Sequence, residues 1–145
     1  MSNLLRESIP LDSKTLALRL TALAFDKKAF QLKVLEVANL VGYCDYFVIA
    51  SGRSDRQVKA IAENITLTMK NEHSMLPKGI EGNDGAQWVL IDYGDVVVHL
   101  FNAPVRDYYD LDGLWAEAVE LPIEQPAWEE EMRNSVFDQG VVFQP

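Results

Sequence analysis

Residues 45–69 read DYFVIASGRSDRQVKAIAENITLTM. From Asp45 to Ser51 the stretch is nearly all apolar and rich in β-branched and aromatic residues. That pattern predicts a strand buried on both faces, so something must cover each side of its sheet. Gly52 breaks the strand. Ser54 and Gln57 stand at capping-box spacing, where the serine hydroxyl serves the amide three residues on and the glutamine reaches back. Val58, Ile61, Ala62, Ile65 and Met69 then recur on one helical face. A doubly buried strand running into an amphipathic helix makes this an α/β chain.

The flanking segments extend that reading. Upstream, Asp12-Ser13 offers an N-cap to a helix with Leu16, Leu20, Leu23 and Ala24 on one face, ending near Asp26-Lys27-Lys28. Phe30–Glu36 alternates as a half-exposed strand. Downstream, residues 71–87 are rich in glycine and read as loop, with a short edge strand near Ile80. Trp88–Asp92 and Asp95–Phe101 read as two strands. Asp110 is placed to cap a last helix with the stripe Leu111, Leu114, Trp115 and Ala118, stopped by Pro122. The fold class expected is therefore α/β, a single domain with a mixed β-sheet flanked by helices. It lacks the regular alternation of a doubly wound fold. The division expected is an N-terminal segment 1–14, a domain 15–120, and an acidic C-terminal tail 121–145. Val136, Phe137, Val141, Val142 and Phe143 are the tail residues suited to docking locally.

At 145 residues and 48% hydrophobic content, the chain has the material for one core. Cys44 is its single cysteine, which excludes an intramolecular disulfide; it reads as a small buried hydrophobe. No run of about 18 apolar residues is present to span a membrane. The N-terminus lacks a basic region followed by an apolar stretch, so the expected location is the reducing cytoplasm. The net charge of −9 is uneven. Residues 1–72 hold ten Lys/Arg against eight Asp/Glu, and residues 73–145 hold three against fourteen. Such a surface repels phosphate backbones, so little direct nucleic-acid contact is expected, and it speeds encounter with a basic partner.

Residues 88–101, WVLIDYGDVVVHLF, hold the candidate site. Treated as a hairpin turning at Tyr93-Gly94, the stretch divides by strand parity. Val89, Ile91, Val96, Val98 and Leu100 form an aliphatic face. Trp88, Leu90, Asp92, Asp95, Val97, His99 and Phe101 form a mixed one. With a two-residue turn the acids oppose each other, a repulsion of about 0.2–1 kcal/mol. Turn capping, a cation or a basic partner would account for keeping them. The two carboxylates lie three residues apart across a turn, which does not match a two-carboxylate magnesium site on one strand, and zinc lacks a ligand set. No metal, cofactor or catalytic residue is expected. SGRSDRQ (51–57) opens a helix N-terminus that suits an anion, but it has neither a Walker lysine nor GxGxxG. The alternative it keeps open is a nucleotidyltransferase-like nucleotide-binding enzyme. His73 reads as a solvated loop residue and His99 as a structural one. An apolar centre rimmed by acids fits a protein interface better.

DYFVIASGRSDRQVKAIAENI (45–65), EG (81–82), WVLIDYGDVVVHLF (88–101) and RDYYDLDGLWAEA (106–118) together resemble the ribosomal silencing factor, or Iojap, family, from about Thr15 to Val119. The resemblance implies an α/β fold related to nucleotidyltransferases without their catalytic acids, and no enzymatic activity. It implies binding to the large ribosomal subunit through its ribosomal protein numbered fourteen. It further implies blocked joining of the small subunit, repressed translation when nutrients are scarce, and a homodimer when free. The protein-binding residues it implies are Glu81, Trp88, Leu90, Asp92, Tyr93 and Asp95. Arg106, Tyr109, Leu111 and Trp115 match the pattern as structural residues.

Overall fold

The computed structural model describes residues 11–138. Helix α1 (Ser13–Asp26) starts where the Asp12 carboxylate accepts the Thr15 amide at 2.7 Å. Strand β1 (Phe30–Glu36), a single turn α2 (Ala38–Val41) and strand β2 (Tyr46–Gly52) follow. Helix α3 (Asp55–His73) leads into β3 (Gly79–Glu81), β4 (Trp88–Asp92) and β5 (Val96–Asn102). The chain continues through α4 (Ala103–Tyr108), a 3-10 turn (Leu111–Trp115), β6 (Val119–Leu121) and α5 (Glu129–Asp138). The six strands form one sheet in the order β3-β4-β5-β2-β1-β6. β2 and β5 run parallel and the other pairs antiparallel, so the sheet is mixed.

β2 lies inside the sheet, and from Phe47 onward all its residues are buried, as its composition predicts. Val48 and Ala50 join Val34, Val89, Ile91, Val96, Val98 and Leu100 under α1 and α3. Phe47 and Ile49 point the other way and pack with Leu35, Val37, Cys44, Val97, Phe101 and Leu111. Cys44 is thus a buried apolar group, and burial beside the acids Asp45, Asp92 and Asp95 pushes its thiol up to about 11.

The region after β5 differs from the expected capped helix. Pro104 sits in the first turn of α4, directly after the strand, where its missing amide is no loss. Asp110 takes a left-handed conformation, with φ +48°, and caps nothing through its side chain. The physical reason lies in Arg106, which is 2% exposed. Its guanidinium donates to the Gln31 carbonyl and the Ser51 hydroxyl at 2.9 Å each, and to Asp112 at 2.7 and 3.1 Å. A buried charge needs such partners, and bringing Asp112 round to meet it bends the chain into a 3-10 turn. Beyond it, Val119–Leu121 is not a helix end but a sixth strand on the edge of β1.

The acidic C-terminal segment carries α5. Glu129, buried at its start, accepts the Gln31 amide at 2.8 Å where β1 is bulged and Gln31 has φ +53°. Trp128 meets Phe25 edge-to-face and lies under Lys28, and Val136 packs with Phe30 and Ala103. Val141, Val142 and Phe143 lie outside the described residues. Among those described, no helix is long and apolar enough to cross a membrane.

Candidate protein-binding face

The hairpin turns one residue later than expected. Asp92 pairs with Val97, not with Asp95, and the Tyr93 amide donates to the Val96 carbonyl at 2.9 Å. The connection is therefore Gly94-Asp95. Gly94 takes φ +89°, which a glycine adopts without strain. Asp92 caps the turn: its Oδ1 accepts the Gly94 amide at 2.7 Å. Asp95 projects from the turn, exposed. The expected repulsion between directly opposed acids does not arise.

Moving the turn also moves Tyr93, which continues the parity of Ile91 onto the helix-covered side. It is 8% exposed, belongs to the larger core, and burial pushes its hydroxyl up to about 12. Tyr93, expected among the contact residues, thus keeps only a small part of its surface open.

Glu81, Leu90 and Asp92 come together. With Tyr43, Lys78, Gly79 and Val97 they line an open groove of about 250 Å³. Leu90 and Val97 form its floor, β3 supplies Glu81 at the sheet edge, and Tyr43, 68% exposed, stands at the rim. Tyr43 and Lys78 were not among the expected site residues. Tyr43 comes from the loop between α2 and β2, which shows no periodicity. The aliphatic end of Lys78 lies against Gly94, 3.2 Å from where a Cβ would stand, so it sets a positive charge beside the acidic turn. The pairing of Gly79 with Asp92 brings it there, and no local pattern reveals that pairing.

Trp88 opens the same strand face at its other end, 39% exposed. Its indole Nε1–H donates to His99 Nδ1 at 3.1 Å, and its ring lies 5.0 Å from Phe101 and 6.3 Å from Trp115. His99 is buried in this aromatic group, against Phe47 and Trp115, and burial pulls its basicity down to about 4. It stays neutral at ordinary pH and is no general acid there.

The entry to α3 is internally occupied. Ser54 Oγ accepts the Gln57 amide at 3.1 Å, and Gln57 Oε1 accepts the Arg53 amide at 2.6 Å. Gln57 Nε2 donates to the Lys27 and Lys28 carbonyls, and Asp55, bonded by Asn102, adds a negative charge to the first turn. Those partners and that charge work against an anion at this helix end. Among the described residues no group of three or more His, Cys, Asp or Glu side chains is arranged to hold a metal.

A family model described as ribosomal silencing factor during starvation matches residues 10–140. The chain belongs to this family. It is similar to the ribosomal silencing factor RsfS of Bacillus subtilis, 44% identical over 93 residues, covering 64% of this chain and 78% of that protein. It is also similar to the mouse protein named mitochondrial assembly of ribosomal large subunit protein 1, at 33% identity over 98 residues, 66% of this chain and 43% of that one. A crystal structure of a protein from Bacillus halodurans matches with a TM-score of 0.67 and 35% identity, covering 76% of this chain and 99% of that chain. The ribosomal silencing factor family is regulatory in character.

Proposed function

We propose that this silencing factor docks the face holding Trp88, Leu90, Asp92, Glu81 and Asp95 on the large ribosomal subunit, through its ribosomal protein numbered fourteen. Sitting there in the cytoplasm, it blocks association with the small subunit and represses translation when nutrients are scarce. It acts by occupancy and not as an enzyme, and free chains pair as homodimers. Tyr93 contributes from behind, by holding the turn on the core.

The observation that carries the reading is the groove itself. Leu90 and Val97 give it an apolar floor, the exposed Tyr43 ring stands at its rim, and Glu81 and Asp92 outweigh the single charge of Lys78 there, with Trp88 further along the same strand face and Asp95 exposed in the adjoining turn. Apolar centre and charged rim are the anatomy of a protein interface, and the sign suits a basic partner. The names of relatives from Bacillus subtilis and mouse point to ribosomes, the latter to the large subunit.

Co-sedimentation with isolated large subunits, small subunits and intact ribosomes tests the reading. Wild type is expected with large subunits alone. Trp88→Ala should weaken binding by about 30-fold or more, the measure of a central anchor, and Asp92→Lys should weaken it less. Unchanged affinity in both variants would remove the face from the interface.

A further inference from the structure

We propose that His99 is a positioning residue: its buried Nδ1 fixes the Trp88 indole in the orientation in which that ring meets the partner. The proposal rests on the docking reading above and assigns a role within that face. Trp88 pairs with Phe101, and His99 with Leu90, so the indole and the imidazole are diagonal neighbours on one side of the sheet. The two rings differ sharply in exposure, 39% against 4%. Trp88 is thus partly open to a partner and at the same time tied to the interior by the bond from Nε1–H to Nδ1.

The acceptor cannot turn away. Phe47 abuts the imidazole edge-on at 4.5 Å, Trp115 lies 5.1 Å from it, and Phe101 is nearly parallel, 10° from its plane. An imidazole accepting at Nδ1 carries its proton on Nε2. That Nε2 is buried and without a hydrogen-bond partner among the described residues. A phenyl ring would fill the same space without an orphaned polar atom. What a phenyl ring cannot supply is the acceptor, and the indole N–H is the group that uses it. Burial keeps His99 neutral, hence able to accept, across the physiological range. Holding a large exposed ring in place before contact spares the ordering that docking otherwise requires.

Three substitutions separate this role from simple packing. His99→Phe keeps the volume and removes the acceptor. His99→Leu removes it with a smaller side chain, in case the first variant fails to fold. His99→Gln restores an acceptor. The first readout needs no ribosome: the Trp88 indole N–H resonance of the intact protein should exchange slowly with solvent in wild type and His99→Gln, and quickly in the two acceptor-free variants. The second is affinity for isolated large subunits, expected to fall about three- to tenfold in His99→Phe or His99→Leu and to recover in His99→Gln. In a Trp88→Phe background the same changes should have no further effect. Wild-type affinity in an acceptor-free variant overturns the positioning role alone. A wild-type chain that does not bind large subunits overturns the docking reading and this role with it, whatever the indole resonance shows.

Discussion

His99 has a consequence for stability that is independent of any partner. Its neutral form is favoured in the fold, where burial lowers its pKa from 6.5 to about 4. The unfolded chain therefore takes up a proton between those two values that the folded chain refuses. Stability from this source is complete above the unfolded value and is lost as pH falls toward the folded one, to the extent of about 3 kcal/mol. Urea midpoints at pH 7 and pH 4.5 should show it, with His99→Phe losing less than wild type over the interval because its ring does not titrate. Equal losses would mean that His99 does not carry the effect. The same residue illustrates what a sequence conveys at this scale. A histidine on an alternating strand reads correctly as structural, but that its Nδ1 faces the Trp88 indole depends on a diagonal pairing only the hairpin register reveals.

At the scale of elements, the glycine of the Glu81-Gly82 pair has a steric explanation. Gly82 has φ +80°, and a Cβ built on it would collide with the Trp88 carbonyl oxygen. The chain passes that close because β3 must pair with β4, which sets Glu81 opposite Leu90 and closes the groove. Gly82→Ala should destabilise the protein by about 2 kcal/mol or more, since it meets both a left-handed backbone and a clash with main chain that has no room to yield. Thermal unfolding measures the loss, and hydrogen exchange should place it first at β3 and β4. Elements built from local periodicity were legible in advance: β2, α3, and the two faces of β4 and β5 follow from spacing alone. The turn falls one residue later than the spacing predicts, which leaves both strand faces unchanged but makes Tyr93 continue the Ile91 face instead of forming the turn. The segment after β5 was illegible for another reason. Its shape answers to Arg106, whose partners Gln31 and Ser51 lie far away in sequence. Leu111, Leu114, Trp115 and Ala118 have helical spacing, yet that distant demand overrides it. Of the candidate site, Trp88, Leu90 and Asp92 came from parity, while Tyr43 and Lys78 arrive from loops that carry no pattern.

For the whole molecule, the C-terminal segment acts as a strap. Gln125 donates to the Leu32 carbonyl, Trp128 rests on Phe25, Glu129 caps the bulge at Gln31, and Val136 covers Phe30 and Ala103. Glu129→Ala leaves the Gln31 amide without its acceptor, and should cost about 1–3 kcal/mol. Ending the chain at Leu121 should cost more, because Phe30 and Ala103 also lose their cover. Denaturant titration of both variants against wild type checks the order, and a truncated chain as stable as the full one would deny the strap its role. The placing of this strap bears on how the protein is made. Residues 31 and 129 are 98 positions apart, and the earlier of them is synthesised while most of the sheet does not yet exist. The bulge in β1 must wait until 98 further residues have been made for the carboxylate that satisfies it. Completion of the third apolar cluster is thus a late, long-range event, slower to reach than the local packing of α3.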